Sequence, residues 1–190
     1  MNLYETWFCG SRIWRWVTRR QLLPWILQGS ELGEHTLELG AGPGAATAEL
    51  ARLVGRLTSL EYDHAFAAKL GIHTRSANAS VIQADAAALP FTDRAFSSAI
   101  AILMFHHLRS SALQDRAFAE IWRVLRPGGV FLAFEIQDGW THRVGHIKST
   151  FVPMVPASLF ARLTAAGFSK VTVDIRSGGF RIRALRSRET

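Results

Sequence analysis

Thr36-Leu37-Glu38-Leu39-Gly40-Ala41-Gly42-Pro43-Gly44 is the stretch that decides the fold. A short apolar segment runs into three glycines at alternate positions, and residues 45–54 after them have helical character. Strand, glycine turn and helix in that order open a nucleotide-binding α/β unit. Glycine lets the backbone turn tightly and come close to a ligand. The helix that follows begins with N–H groups that have no intrahelical partner. Glu38 stands at the end of the strand, an unusual place for a carboxylate unless it faces a polar ligand, and Ala41 sits inside the turn.

Downstream, residues 57–61 read as a second strand ending in Glu61, and Asp63 is placed to cap a helix over 65–70. Glu61 lies 21 residues after Gly40, the distance at which a carboxylate at the tip of the second strand meets ribose hydroxyls. A vicinal diol offers two donors and one carboxylate accepts both. The plainer reading of Glu61 is an ordinary strand-end acid. Residues 80–85 form a third strand with Asp85 just past its end. An adenine amino group needs such an acceptor, and the Ala86 N–H suits the ring nitrogen beside it. A solvated turn acid is the other reading of Asp85. Leu60, Tyr62 and Ala87 are suitable apolar neighbours for the ring.

The run from Phe96 to Phe105 suits a central buried strand, and it ends in His106-His107. In an open parallel sheet the carboxyl ends of central strands face the ligand crevice. A helix is expected over 114–125, with Phe118, Ile121, Trp122 and Leu125 on one face. Arg126-Pro127-Gly128-Gly129 turns the chain into a strand over 130–134, and residues 135–149 read as a loop over the substrate side. A helix over 157–166 is closed by Gly167. Strands over 171–176 and 180–186, joined by Ser177-Gly178-Gly179, form a hairpin, so the last strand runs antiparallel to its neighbour.

Residues 1–30 precede this unit and hold Trp7, Trp14, Trp16 and Trp25. They are expected to form a helical cap or lid on a domain spanning 31–190, with a helix starting near Ser11 and Pro24 breaking or restarting it. Tryptophan beside arginine also suits a membrane-surface or partner helix. The net charge of +7 belongs to the two ends: residues 1–28 carry +3, residues 170–190 carry +4, and the stretch between is neutral. That distribution argues against a nucleic-acid groove along the main cleft. The 190 residues suit one domain with a single sizeable core. The single cysteine, Cys9, excludes a structural intrachain disulfide and any cysteine-built metal cluster, and it fits a cytoplasmic location. No apolar run is long enough to span a membrane. His142 and His146 are four apart, but no third ligand accompanies them, so no metal site is expected.

With Glu-Leu-Gly-Ala-Gly-Pro-Gly at 38–44, Leu-Glu-Tyr-Asp at 60–63, Gln-Ala-Asp-Ala-Ala-Ala-Leu-Pro-Phe at 83–91 and Arg-Val-Leu-Arg-Pro-Gly-Gly at 123–129, the chain resembles a class I methyltransferase over residues 30–186. The resemblance implies a Rossmann-like three-layer α/β sandwich with a mixed seven-stranded sheet. It implies S-adenosyl-L-methionine as cofactor. Gly40, Gly42 and Gly44 would border its methionine and ribose part, Glu61 would hold the ribose, and Asp85 with Ala86 the adenine. Phe105 and His106 would lie beside the methyl group or the substrate. Such enzymes often have Phe-Asp at the start of the fourth strand, where this chain has Phe96-Ser97, so a local structural change is expected there.

Methyl transfer from a sulfonium is an in-line displacement, so the protein chiefly aligns the reactants. A neutral, protonated nucleophile also needs a route for its proton, and histidine is the natural candidate. His106 is the first choice as general base and His107 the second; a cofactor shelf, a substrate hydrogen bond or a packed histidine are the other readings of His106. The expected reaction is methylation of a small-molecule acceptor. Three alternatives stand beside it: a binding protein without catalysis, a nicotinamide-dependent oxidoreductase and an RNA methyltransferase. Gly40-x-Gly42-x-x-Ala45 satisfies the permissive dinucleotide fingerprint, but the chain lacks a Tyr-x-x-x-Lys pair. No Asn-Pro-Pro-Tyr-type segment is present to grip a flipped base.

Overall fold

The computed structural model describes residues 3–74, 78–145, 147, 149–176 and 178–188. Its strands are β1 His35–Leu39, β2 Arg56–Glu61, β3 Ala79–Gln83, β4 Phe96–Ile102, β5 Leu125–Ile136, β6 Phe168–Arg176 and β7 Gly179–Arg186. The helices are α1 Leu3–Gly10, α2 Arg12–Val17, α3 Leu23–Leu27, α4 Thr47–Leu53, α5 His64–His73, α6 Ser111–Val124, α7 Trp140–Gly145 and α8 Pro156–Ala165. A π-helical turn, Thr18–Leu22, joins α2 to α3, and a 3₁₀ turn spans Phe105–His107.

The strands form one sheet in the order β3-β2-β1-β4-β5-β7-β6. The first five are parallel, and β7 runs antiparallel to both β5 and β6. Alternation along the strands assigns side chains to two layers. Phe131 and Ala133 of β5 join α6 and α8 on one face, among Phe118, Ile121, Leu159 and Leu163. Val130, Leu132 and Phe134 point the other way, to Leu23 and Ile26 of α3 and Leu50 of α4. The fold is thus the expected mixed α/β sandwich, with the last strand antiparallel to its neighbours.

Several boundaries differ from the sequence reading. The central strand ends at Ile102, because Leu103 takes φ +55 and turns the chain before Phe105. Helix α6 begins at Ser111, where the Ser110 hydroxyl accepts from the Leu113 N–H at 3.2 Å. The Arg126–Gly129 turn lies inside β5 as a bulge: Phe96 pairs with Leu125 and Ser98 with Val130, so four residues of β5 lie across from Ser97 of β4. Glu135 belongs to β5, and α7 occupies part of the expected loop. Of the 177–179 turn, Ser177 lies outside the described residues.

The Phe96-Ser97 departure has a local structural consequence. Ser97 Oγ accepts from the His35 N–H at 2.9 Å and faces the Leu32 and His35 carbonyls at 2.8 Å each. It ties the entry of β1 to β4. At the amino end, Ser11 caps α2 by accepting from Trp14 N at 3.0 Å, and Pro24 sits in the first turn of α3. Leu23 and Ile26 are core residues, so α3 is part of a layer and only the segment before it rims the sheet.

The far end of the sheet is anchored by Arg186. Its buried Nη1 donates to the Trp122, Arg123 and Leu125 carbonyls at 2.8, 3.0 and 2.9 Å, while the guanidinium lies 3.9 Å from the Trp122 ring centroid. It satisfies carbonyls at the end of α6 that the helix itself cannot. We expect Arg186→Met to remove this donor from the three carbonyls, of which Arg123 keeps the Arg94 N–H, and to cost about 2–4 kcal/mol, on the scale of buried charged hydrogen bonds. Chemical denaturation followed by far-ultraviolet circular dichroism measures it.

Candidate active site

The carboxyl ends of the parallel strands converge on one edge of the sheet and wall a cavity of about 940 Å³. That lies near the upper end of ligand sites, which run to about 1,000 Å³, and leaves room for two small molecules side by side.

The glycine turn forms one wall. Gly40 N and Ala41 N both donate to the Leu60 carbonyl, at 2.8 and 3.1 Å, drawing the turn onto the end of β2. Gly40 has φ +68, and a Cβ there would lie 2.3 Å from Met104 Cγ, so no side chain fits. Gly42 has φ +51 and open space where a Cβ would stand. Gly44 lies against Leu70 of α5, on the other side of the turn, and serves its shape.

Three carboxylates follow at successive strand ends. Glu38 is buried, and Thr47 Oγ1 and Ser59 Oγ both donate to its Oε2, at 2.8 and 2.6 Å. Burial pushes its pKa up to about 7; the two hydroxyl bonds pull the other way and nearby Glu61 adds to the rise. Glu61 accepts the Gly42 N–H at 2.7 Å on one oxygen and the Asp63 N–H at 2.9 Å on the other. Each carboxylate oxygen has a second lone pair, so these bonds orient Glu61 and leave acceptor capacity for hydroxyls. Asp85 is exposed at the cavity wall, with Oδ1 accepting from Ala87 N at 2.8 Å; buried Ala86 lines the same wall. Tyr62 stands exposed at the rim.

The opposite wall carries the histidines. His106 is 3% exposed and lines the cavity, its Nδ1 2.6 Å from Glu135 Oε2. The His107 ring lies 4.2 Å from that of His106 and also lines the cavity. Phe105 does not: it is fully buried, with its ring 4.8 Å from Phe118 and 5.9 Å from Phe131. The turn at Leu103 rotates Phe105 into the core and its successor toward the cleft. Glu135 Oε1 accepts the Phe105 N–H at 2.7 Å, Gln114 Nε2 donates to the Phe105 carbonyl at 3.1 Å, and the His106 carbonyl accepts from Val152 N at 2.8 Å. Sheet, helix and loop thus hold this turn together.

Two contributions escaped the sequence reading. Glu135 fell at the start of an assumed loop, although it ends an apolar strand just as Glu38 and Glu61 do. The other is Thr18, within the amino-terminal segment expected as a cap or lid, from which Phe8, Cys9, Trp14, Thr18 and Leu22 line the cavity. Thr18 is fully buried on the π-helical turn, and its hydroxyl has no hydrogen-bond partner among the described residues. An orphan buried hydroxyl at a cavity wall suits a ligand that completes it. Nothing in the sequence marks Thr18. His142 lines the cavity and donates Nδ1–H to the Gln137 carbonyl at 2.8 Å, whereas His146 lies outside the described residues. Among the described residues, no cluster of three or more His, Cys, Asp or Glu could hold a metal ion, and no helix is long and apolar enough to cross a membrane.

Comparison with known proteins defines the class. A family model described as a methyltransferase domain matches residues 37–133, just over half of the chain, and the chain belongs to that family. It is a class I S-adenosylmethionine-dependent methyltransferase by fold and family, so the nicotinamide reading of the glycine turn is set aside. Among individual relatives, a ubiquinone/menaquinone biosynthesis C-methyltransferase, UbiE, of Psychromonas ingrahamii is 33% identical over 117 residues, which cover 56% of this chain and 44% of that protein. The corresponding protein of Pseudoalteromonas translucida is 30% identical over 135 residues, 67% of this chain and 50% of that one. The chain therefore spans half or less of the length of these relatives. The PH0226 protein of Pyrococcus horikoshii superposes with a TM-score of 0.82 at 16% identity, over 97% of this chain and 98% of that one. A phosphoethanolamine N-methyltransferase of Haemonchus contortus, solved with S-adenosyl-L-methionine, gives 0.75 at 13% identity over 91% of this chain and 53% of that one.

Glu38 makes stability depend on pH. Its pKa in the folded chain, about 7, exceeds the ordinary 4.5, so the folded state holds a proton that the unfolded state releases between those values. Its favourable contribution is complete below 4.5 and is lost as pH rises to about 7. We expect Glu38→Gln to lose less stability than the wild type between pH 5 and pH 8, as measured by urea denaturation at the two pH values.

Proposed function

We propose that the chain transfers a methyl group from S-adenosyl-L-methionine to a small, largely apolar acceptor held between the cofactor and the His106 wall. The observation that carries this reading is one cavity joining the glycine turn, Glu61 and Asp85 on one side to His106 and His107 on the other. The residues present fit the cofactor. Glu61 is oriented by two backbone N–H groups and can accept both ribose hydroxyls, Asp85 and Ala86 offer an acceptor and a donor for adenine, and Gly42 opens the turn toward the cavity. Glu38, Gly40, Ala41 and Tyr62 complete that side, and Gly44 supports the turn. When bound, S-adenosylmethionine supplies a methyl group already activated on a sulfonium.

The chain's own residues align, shield and handle the proton. His106 is the general base of this reading, with His107 beside it. Of residues 1–30, the segment before α3 acts as a lid whose Phe8, Trp14 and Thr18 line the cavity, while α3 packs into the methyltransferase domain of 31–190. The names of the UbiE relatives support a small-molecule acceptor. The neutral middle of the chain speaks against nucleic acid as the acceptor, and the single cysteine supports a cytoplasmic location.

Calorimetry with S-adenosylhomocysteine and with NAD tests the cofactor. We expect micromolar binding of the first and none of the second, with Glu61→Ala and Asp85→Ala each weakening it at least tenfold, equivalent to about 1.4 kcal/mol. Full affinity in both variants would remove the assignment. The lid has its own test. Thr18→Val replaces an orphan hydroxyl with a methyl of the same shape, so we expect unchanged or raised thermal stability together with weaker ligand binding. Lower stability with unchanged binding would return Thr18 to a purely structural role.

A further inference from the structure

We propose that residues 7–20 and 140–147 form a docking face that seats the mouth of the cavity on a bilayer containing anionic lipid. This docking goes beyond the proposed methyl transfer, and its readout needs no turnover.

The amino-terminal segment has two sides. Phe8, Trp14, Thr18 and Leu22 line the cavity. The Phe8 and Trp14 ring centroids are 5.1 Å apart, and a Cβ on Gly10 would lie 3.9 Å from Pro43 Cβ, so this segment is seated against the glycine turn. At about 3.6 residues per turn, Trp14 and Thr18 share one side of the helical segment. Ile13 and Trp16, with Arg12, Arg15, Arg19 and Arg20, fall on the other side and are all exposed. Helix α7 repeats the arrangement from a distant part of the chain. His142 lines the cavity, whereas Trp140 and Val144, four apart on the opposite side, are exposed, and so is Ile147 just beyond the helix.

Single exposed apolar side chains are ordinary on a protein surface, and Leu53, Ile72, Phe160 and Ile175 are of that kind. Here they gather on the outer sides of two segments that line one cavity. Among the described residues, every strongly exposed tryptophan belongs to this group: Trp7 at 68%, Trp16 at 56% and Trp140 at 77%. Tryptophan settles at the level of lipid headgroups, with an apolar ring and a polar N–H. These helices are short, and none is long and apolar enough to cross a membrane, so the face lies on the bilayer surface.

Charge decides what covers the face. No acid occurs between Glu5 and Glu31, a stretch that contains Arg12, Arg15, Arg19 and Arg20. Arg19 lies 3.5 Å from Glu49, which also pairs with Arg52. Arg12, Arg15 and Arg20 have no ion-pair partner among the described residues. At α7, Arg143 is paired with Asp138 at 2.7 Å. A second copy of this chain docking by the same face would bring guanidinium groups against guanidinium groups. An anionic bilayer offers both chemistries at once, phosphate and carboxylate for the arginines and acyl chains for tryptophan and isoleucine. Each basic residue near such a surface strengthens binding about fivefold. A largely apolar acceptor, as the proposed reaction has, concentrates in the same phase beside the cavity.

Co-sedimentation of the full chain with vesicles tests the docking. One set is phosphatidylcholine alone, and the other holds roughly one third phosphatidylserine. We expect binding to the mixed vesicles about tenfold tighter or more, and its loss in about 1 M salt, where screening acts within about 3 Å. Arg12→Gln with Arg15→Gln, and separately Trp16→Ser with Trp140→Ser, should each weaken it about tenfold or more. Two control pairs separate a built face from the general basicity of the chain. Lys170→Gln with Arg188→Gln removes as much charge elsewhere, and Phe160→Ser with Ile175→Ser removes exposed apolar surface elsewhere. Both control pairs should bind within about twofold of the wild type. Every substituted side chain is exposed, so the fold is kept, as circular dichroism checks.

A second readout uses the nearly isosteric change to phenylalanine. Phosphatidylcholine brominated in the upper acyl chain should quench tryptophan fluorescence in the mixed vesicles, and Trp16→Phe with Trp140→Phe should lose much of that quenching. Absence of binding to the mixed vesicles overturns the proposal and gives the face to a second copy or a protein partner. Equal losses in the control pairs, or quenching unchanged in the phenylalanine variant, overturn it as well. S-adenosylhomocysteine takes no part in these readouts, so failure of the cofactor reading and failure of the docking are told apart.

Discussion

Parallel pairing at the centre of the sheet is the constraint on which the rest depends. With β2, β1, β4 and β5 all running the same way, each return connection must cross a face, and every strand delivers its carboxyl end to one edge. The helices of the crossovers bury both faces, so the strand interiors are mostly apolar, with small hydroxyls such as Thr36 and Ser98 bonded to each other. The carboxylates of these strands stand at that edge, where the crossovers part. Glu38, Glu61, Asp85 and Glu135 are four instances of the same rule.

Each of these carboxylates answers burial differently. Glu38 has hydroxyl donors to one oxygen and, among the described residues, no cation, and it is driven toward its neutral form. Glu61 is held by two backbone N–H groups at the mouth of the turn. Glu135 takes one backbone N–H and one imidazole and so links the sheet to the turn that carries His106. Asp85 lies far enough out to remain exposed. One edge of one sheet thereby offers an acid pushed toward its neutral form, an oriented carboxylate, an exposed acceptor and a carboxylate–imidazole pair within a single cavity.

The supporting shell is built from long-range contacts. Gln114 of α6 reaches the Phe105 and Val152 carbonyls and accepts from Arg162 of α8 at 3.0 Å. Arg123 joins α6 to the 89–93 loop through the Leu89 and Phe91 carbonyls, Asp93 and Glu120, and Glu120 in turn accepts the Leu89 N–H. That network steadies the segment following Asp85. Both arginine sites are partly open to solvent, so their value is in geometry more than in charge.

Local chemistry determined much of this protein in advance. Alternation and apolar runs marked all seven strands, with β4, β5 and β6 differing at their ends, because period and burial are properties of neighbouring residues. Ser11, Asp63 and Gly167 marked helix ends for the same reason, and the glycine turn with acids after successive strands marked one wall of the cavity. The tertiary structure decided what depends on residues far apart in the chain. Phe105 and His106 are adjacent and equally attractive on paper; only the left-handed Leu103 and the Phe118–Phe131 core send one inward and leave the other at the cavity. Glu135 became visible once β5 was seen to run past Phe134, since its partners lie 29 and 30 residues away. Thr18 became a cavity residue only when the amino-terminal helices closed over the strand ends. Sequence records the propensity of each residue and its immediate neighbours, whereas the site is made where crossovers bring strand ends together, and that meeting is a property of the packed sheet.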